Sequence, residues 1–304
     1  MCDELQKTIR DTGFGGIFTE VEHPEKLGLK NREELRLFYL KITDNMFDLD
    51  DLSAFLRKTI GRYVFSRAKM EEFRKNGDLE SVVSDASRII KRECESGEAS
   101  AGSFGGVMLY VFLEQVLGAP KILSKVELVT EEKQHRSKCD GIHLLSFKDG
   151  GIPCYHMIFG TSSVVGDLGY AIDGAFDAVV KIEAHAGEEK QLTENTLFEK
   201  IFDANTAKRI RDLIVPAKDP RPVCDTAYGI FLCYSLGLDV KRRSSSEHRT
   251  AVTIKMKRDI ENYAPYIVEK INALGLANHS FYFYIMPLND VDKEQLKMME
   301  EITE

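Results

Sequence analysis

The stretch that decides the fold is "KCDGIHLLSFKDGGIPCYHMIFGTSS", Lys138 to Ser163. Two apolar runs, "GIHLLSF" and "IPCYHMIF", flank "KDGG", and a glycine-bearing tight turn between two strand-like runs signals a β-hairpin. Asp140 stands at the mouth of that hairpin, where the first strand begins. The second strand runs back to the same place and ends in Thr161 and Ser163.

The flanks of the hairpin extend the pattern. "SFGGVMLYVFLEQVLGAP" is apolar almost all round, opens on a serine cap and stops at Gly118 before Pro120, as a buried helix does. "KILSKVELV" sets Ile122, Ser124, Val126 and Leu128 against Lys125 and Glu127, the alternation of a half-buried strand. After the hairpin, "SSVVGDLGYAIDGAFDAVVKIEA" carries Val165, Leu168, Ile172, Phe176 and Val179 on one helical face. The order helix, strand, hairpin, helix predicts an α/β (α+β) core, a mixed sheet between helices, over residues 96–195.

Outside that core the chain is expected to form an N-terminal helical and mixed region, 1–95, and a C-terminal region, 196–304. The first holds one strand-like run, "RLFYLKI", a helix through "DLDDLSAFLRKTIGRYVFS" and another over about 78–95. The second reads as helical apart from a final strand, "SFYFYIMPL", and packs on the core. "VKRRSSSEHR" reads as a solvated basic turn.

Bulk properties set limits. The 304 residues are 43% hydrophobic and 30% charged, as in an ordinary soluble domain. No apolar run is long enough for a membrane span, and the N-terminus has no secretory pattern, so a cytoplasmic protein is expected. Six scattered cysteines form no CxxC pair, so neither a disulfide framework nor a zinc site is indicated. A net charge of −8 argues against coating nucleic acid by bulk electrostatics. Any DNA contact then needs a local basic patch or a partner.

A hairpin with an acid at its mouth is the frame of metal-dependent nucleases of the PD-(D/E)xK class. There two carboxylates hold a hard divalent cation, usually Mg²⁺. The metal activates water, and a lysine two residues beyond the second carboxylate projects from the same strand face. The chain resembles one such family. "GAPKILSKVEL", "CDGIHLL", "GGIPCYHMIFG" and "AIDGAFDAV", with "FYLKITDNMFDLDDLSAFL" before them and "SFYFYIMPLNDVDKEQL" after, are similar to HamA, the small subunit of the Hachiman antiphage system. The likeness covers roughly residues 35–300.

That resemblance implies a PD-(D/E)xK restriction-endonuclease-like core, Mg²⁺ if the site is active, DNA as target and a HamB-like superfamily-two helicase as partner. It also exposes departures. The family's buried helix opens near "GEIGE", whereas "GSFGG" here puts Ser103 and Gly106 at the acidic positions. The hairpin's second strand runs into "GESK" in the family; "GTSS" here puts Thr161 and Ser163 at the Glu-x-Lys positions. Asp140 is the retained catalytic position, and one carboxylate with neutral hydroxyls is a poor Mg²⁺ site. The expectation is a DNA-sensing or regulatory pseudonuclease; the alternative is an active Mg²⁺-dependent endonuclease with rescue groups around Asp140.

Ordinary readings compete for each residue. Asp140 followed by glycine is also a common turn pair. Lys125 and Glu127 fit a solvent-facing pair as well as a displaced lysine and carboxylate. Asp173, Asp177 and Lys181 share one helical stripe, which an exposed polar face explains. Glu114 suits a salt-bridge partner near its helix end, and His135 and His143 read as structural. ATP use, with no glycine-rich phosphate loop in the chain, belongs to a partner.

Overall fold

A computed structural model describes residues 5–10, 13–95, 103–124, 126–127, 139–185, 223–239 and 244–304. A short helix α1 (Phe14–Ile17) leads into β1 (Phe18–Val21), β2 (Glu33–Leu40) and the small pair β3 (Ile42–Thr43) and β4 (Met46–Phe47). Helices α2 (Leu49–Val64), α3 (Arg67–Asn76) and α4 (Ser81–Glu95) follow. Asp48 starts α2 by accepting the Asp51 amide, and Leu52, Phe55, Leu56 and Ile60 form its buried stripe.

The middle region matches its pattern closely. Helix α5 (Phe104–Phe112) is buried at every residue and capped by Ser103, and its last turn widens into a π-helical turn over Leu113–Leu117. Gly118, at φ 75°, ends it in the left-handed conformation that glycine adopts without steric cost. Then come β5 (Lys121–Ser124), β6 (Gly141–Asp149), β7 (Ile152–Val164) and α6 (Leu168–Ala184). Asp149 pairs with Ile152 across Gly150 and Gly151, both at positive φ, so the hairpin closes through the two-residue turn the sequence suggests.

The C-terminal region differs from expectation. It supplies β8 (Val223–Ser235), α7 (Ser245–Ala273), β9 (Ser280–Leu288) and α8 (Val291–Thr303). The sequence pattern shows one strand there, and β8 is the second. Its residues 227–234 are buried throughout. A strand covered on both faces loses its alternation and reads like a piece of buried helix. The basic turn divides: 240–243 lie outside the described residues, while Ser244 and Glu247 form a capping box that starts α7.

One seven-stranded sheet, in the order β1-β2-β9-β8-β7-β6-β5, takes strands from all three stretches of sequence. The central strands β7, β8, β9 and β2 run parallel, and β1, β6 and β5 are antiparallel to their neighbours. Phe112 of α5 stacks on Phe231 and Tyr284 on one face. Phe176 of α6 meets Phe281 and Phe283 on the other. Helix α8 joins the α5 side, where the Ser87 hydroxyl of α4 donates to the Ile302 carbonyl. Among the described residues no helix is long and apolar enough to cross a membrane.

Candidate functional site: the mouth of the β6–β7 hairpin

The mouth is held by backbone first. The Asp140 amide donates to the Gly160 carbonyl at 2.7 Å, and Gly141 lies opposite Gly160 in the ladder. Side chains then alternate along β7. A methyl group at Gly160 would lie 2.7 Å from Leu109 of α5, so Gly160 and Ser162 face α5. A methyl at Gly105 would lie 2.6 Å from the Ser162 hydroxyl, and one at Gly106 would lie 2.9 Å from Tyr63 Oη and 3.8 Å from the Asp140 Cβ. These glycines let α5 press its first turn against the hairpin mouth.

Asp140 is on the α5 side as well. Ser162 Oγ donates to its Oδ2 at 2.6 Å. Thr161 and Ser163 fall on the opposite face: a methyl at Gly174 of α6 would lie 3.0 Å from Ser163 Oγ. The structure therefore does not bring Asp140 together with the two residues expected at Glu-x-Lys. Gly160 and Ser162 flank it instead, and they too are uncharged. Ser103, the other position aligned with a family acid, caps α5 by accepting the Gly106 amide.

Charge enters the site through Lys121, which sequence reasoning passed over. Its ammonium is buried and donates to the carbonyls of Tyr63 (2.9 Å) and Phe65 (3.2 Å) and to Glu127 Oε2 (2.7 Å). A cation at the C-terminal end of α2 suits that helix's dipole. Burial lowers the Lys121 pKa, and the Glu127 charge opposes that shift. Glu127 Oε2 also accepts the Ser124 amide at 2.6 Å. This corrects the expectation of a solvent-facing Lys125 and Glu127 pair on one strand face. β5 ends at Ser124, Glu127 sits buried in the turn that follows, and its cation is Lys121. Lys125 and His135 lie outside the described residues.

Tyr63, Gly106, Tyr110, Lys121, Asp140 and His143 line a cleft beside the hairpin mouth, too narrow at every point for a water-sized sphere. Burial, and then the charges of Asp140 and Glu127, push the Tyr63 phenol well above its ordinary range. His143 Nδ1 lies 2.8 Å from the Ala119 carbonyl, and burial lowers its pKa to about 4, so it is neutral at pH 7. Its structural role agrees with expectation. Glu114 does not serve as a salt-bridge partner; its carboxylate accepts backbone amides of Thr8, Ile9 and Lys121. On α6, Asp173 accepts from Tyr266 (2.6 Å) and Lys270 (2.7 Å) of α7, while Asp177 and Lys181 are exposed. That stripe packs α6 on α7 and faces away from Asp140.

Mg²⁺ gives up its waters only for well-placed anionic oxygens in octahedral array. At the hairpin mouth the donors are one carboxylate, already hydrogen-bonded by Ser162, with neutral groups around it. Among the described residues no three His, Cys, Asp or Glu side chains are grouped closely enough to hold a metal ion. The residues present do not fit the cation.

Ser162, Lys121 and Tyr63 are the site residues that sequence reasoning missed. Ser162 sits inside "GTSS", and the parity of β7 could not be read from that string. Lys121 opens the strand run, and only the arrival of Tyr63, Phe65 and Glu127 makes it a buried partner.

Fold and site define a mixed α/β protein, a seven-stranded sheet between helices, consistent with a nuclease-like core. The HamA family model matches residues 16–302, nearly the whole chain, and the protein belongs to the HamA family. Membership supports a role in antiphage defence. A search of curated proteins gave no match.

Proposed function

We propose that this protein is a HamA-type antiphage subunit that partners a HamB-like superfamily-two helicase and senses or gates DNA without cutting it. One observation carries the reading: the Asp140 carboxylate is met by the Ser162 hydroxyl, while both faces of β7 at that level offer only Gly160, Ser162, Thr161 and Ser163. Phosphodiester cleavage of the expected kind needs anionic oxygens to hold a metal and a cation to stabilise developing charge. Losing one such stabiliser costs about 10²–10³ in rate, and here several are replaced at once. The acidic chain, at net −8, fits DNA contact made mainly through the complex.

The test is plasmid nicking by the chain together with the neighbouring helicase, under Mg²⁺ and then Mn²⁺. The expected result is a stable complex and no metal-dependent cleavage above the helicase alone. Metal-dependent cleavage abolished by Asp140→Ala would establish the active endonuclease instead, with Asp140 as its metal ligand. Failure to recover any complex with the helicase would remove the partner from the proposal.

A further inference from the structure

The proposed role leaves one buried feature unused. Glu114 lies in the π-helical turn that ends α5 and is fully buried. Its Oε2 accepts the amides of Thr8 (2.6 Å) and Ile9 (2.8 Å), and its Oε1 accepts the Thr8 hydroxyl (2.7 Å) and the Lys121 amide (2.8 Å). Four donors on two oxygens satisfy the carboxylate. Tyr110 Oη lies 2.6 Å from Thr8 Oγ1; since the threonine proton goes to Glu114, Tyr110 is the donor. Gln115 adds a bond from its side-chain amide to the Ile9 carbonyl at 3.2 Å.

The segment gripped this way has little else to hold it. Residues 5–10 form neither helix nor strand, and Ile9 is the one residue among them that is fully buried. Yet the same carboxylate holds the first residue of β5, and both Tyr110 and Lys121 line the Asp140 cleft. We infer that residues 5–10 are a releasable strap and that Glu114 is its catch, so that freeing the strap loosens Tyr110 and Lys121 and opens the cleft. Bonds that share one carboxylate break as a unit, because a partly satisfied buried charge is costlier than a hydrated one. Segments with few apolar contacts open without global unfolding. The strap thus gives the hairpin mouth a closed and an open state, which a partner that engages the N-terminal segment can select.

The inference does not depend on whether the hairpin mouth cuts DNA, and the nicking assay does not read it. Amide hydrogen exchange on the full chain, read beside covalent labelling of the Lys121 amine, tests it. In the unaltered protein the amides of Thr8, Ile9 and Lys121 exchange together and at least about tenfold faster than those of Ile230 and Phe283 in the sheet. Thr8→Val keeps the amide and removes the hydroxyl bonds. It raises that exchange and the labelling of Lys121 about tenfold, with Ile230 and Phe283 unchanged. Glu114→Gln has the larger effect; should it fail to fold, Thr8→Val decides. Exchange of Thr8 and Ile9 at the rate of Ile230 overturns the strap. Acceleration by Thr8→Val with Lys121 labelling unmoved overturns its link to the cleft.

Discussion

The two faces of β7 are built in opposite ways. Toward α5, the hairpin mouth is closed by contact: Gly105, Gly106 and Gly160 remove side chains so that helix and strand meet, and the charges there are buried and paired. Toward α6, Ser163 and Gly174 sit where solvent still reaches, and the charges (Asp173 with Lys270) are part-exposed on the helix surface. A polar side chain near Asp140 is therefore a packing element, whereas one a residue away along the strand is nearly a surface group. In this protein a polar residue's consequence follows the face it lands on more than its chemistry.

The comparison is broken most forcibly at Lys121. Lys121→Met strands Glu127 in the interior and should cost about 3–5 kcal/mol in urea unfolding, with most of it regained in the double variant with Glu127→Gln. A loss under about 1 kcal/mol would mean that Glu127 reaches water and that the α5 side is not closed. The glycines give the next contrast. Gly105→Ala forces its methyl into Ser162 and Val164 and should cost about 2 kcal/mol. Gly174→Ala meets only a rotatable Ser163 hydroxyl and gains helix propensity, so its melting temperature should hold or rise. Equal losses at the two sites would erase the distinction. The smallest effect compares neighbouring serines. Ser162→Ala removes a hydrogen bond to the buried Asp140 carboxylate and should cost about 1 kcal/mol, while Ser163→Ala stays within about 0.5 kcal/mol. Should Ser163→Ala prove the costlier, the assignment of faces is wrong.

Several elements could be read from the chain because their signals are local. Asp48, Ser103 and the glycines of "KDGG" mark starts and turns by chemistry confined to a few residues, and the stripe Leu168, Ile172, Phe176, Val179 shows its helix by period alone. The alternation in "KILSKVELV" misled, because β5 stops after four residues and Glu127 turns inward to Lys121. Strand β8 was hidden for the opposite reason: with both faces covered, "AYGIFLCYS" has no polar side to betray it. At the site, the sequence gave Asp140 and the loss of charge in "GSFGG" and "GTSS", but not the partner of Asp140. Ser162 and Thr161 are chemically alike, and only the pairing of Asp140 with the Gly160 carbonyl orients the strand end.

Residue identity by itself determined that this hairpin mouth would be poor in charge, since no folding can make serine, threonine or glycine anionic. It also determined the family, through strings spread along nearly the whole chain. What only the tertiary structure decided is which groups occupy the space that remains. Lys121, Glu127, Glu114 and Thr8 are separated along the chain and meet because burial leaves each ion or amide needing a partner within hydrogen-bond reach.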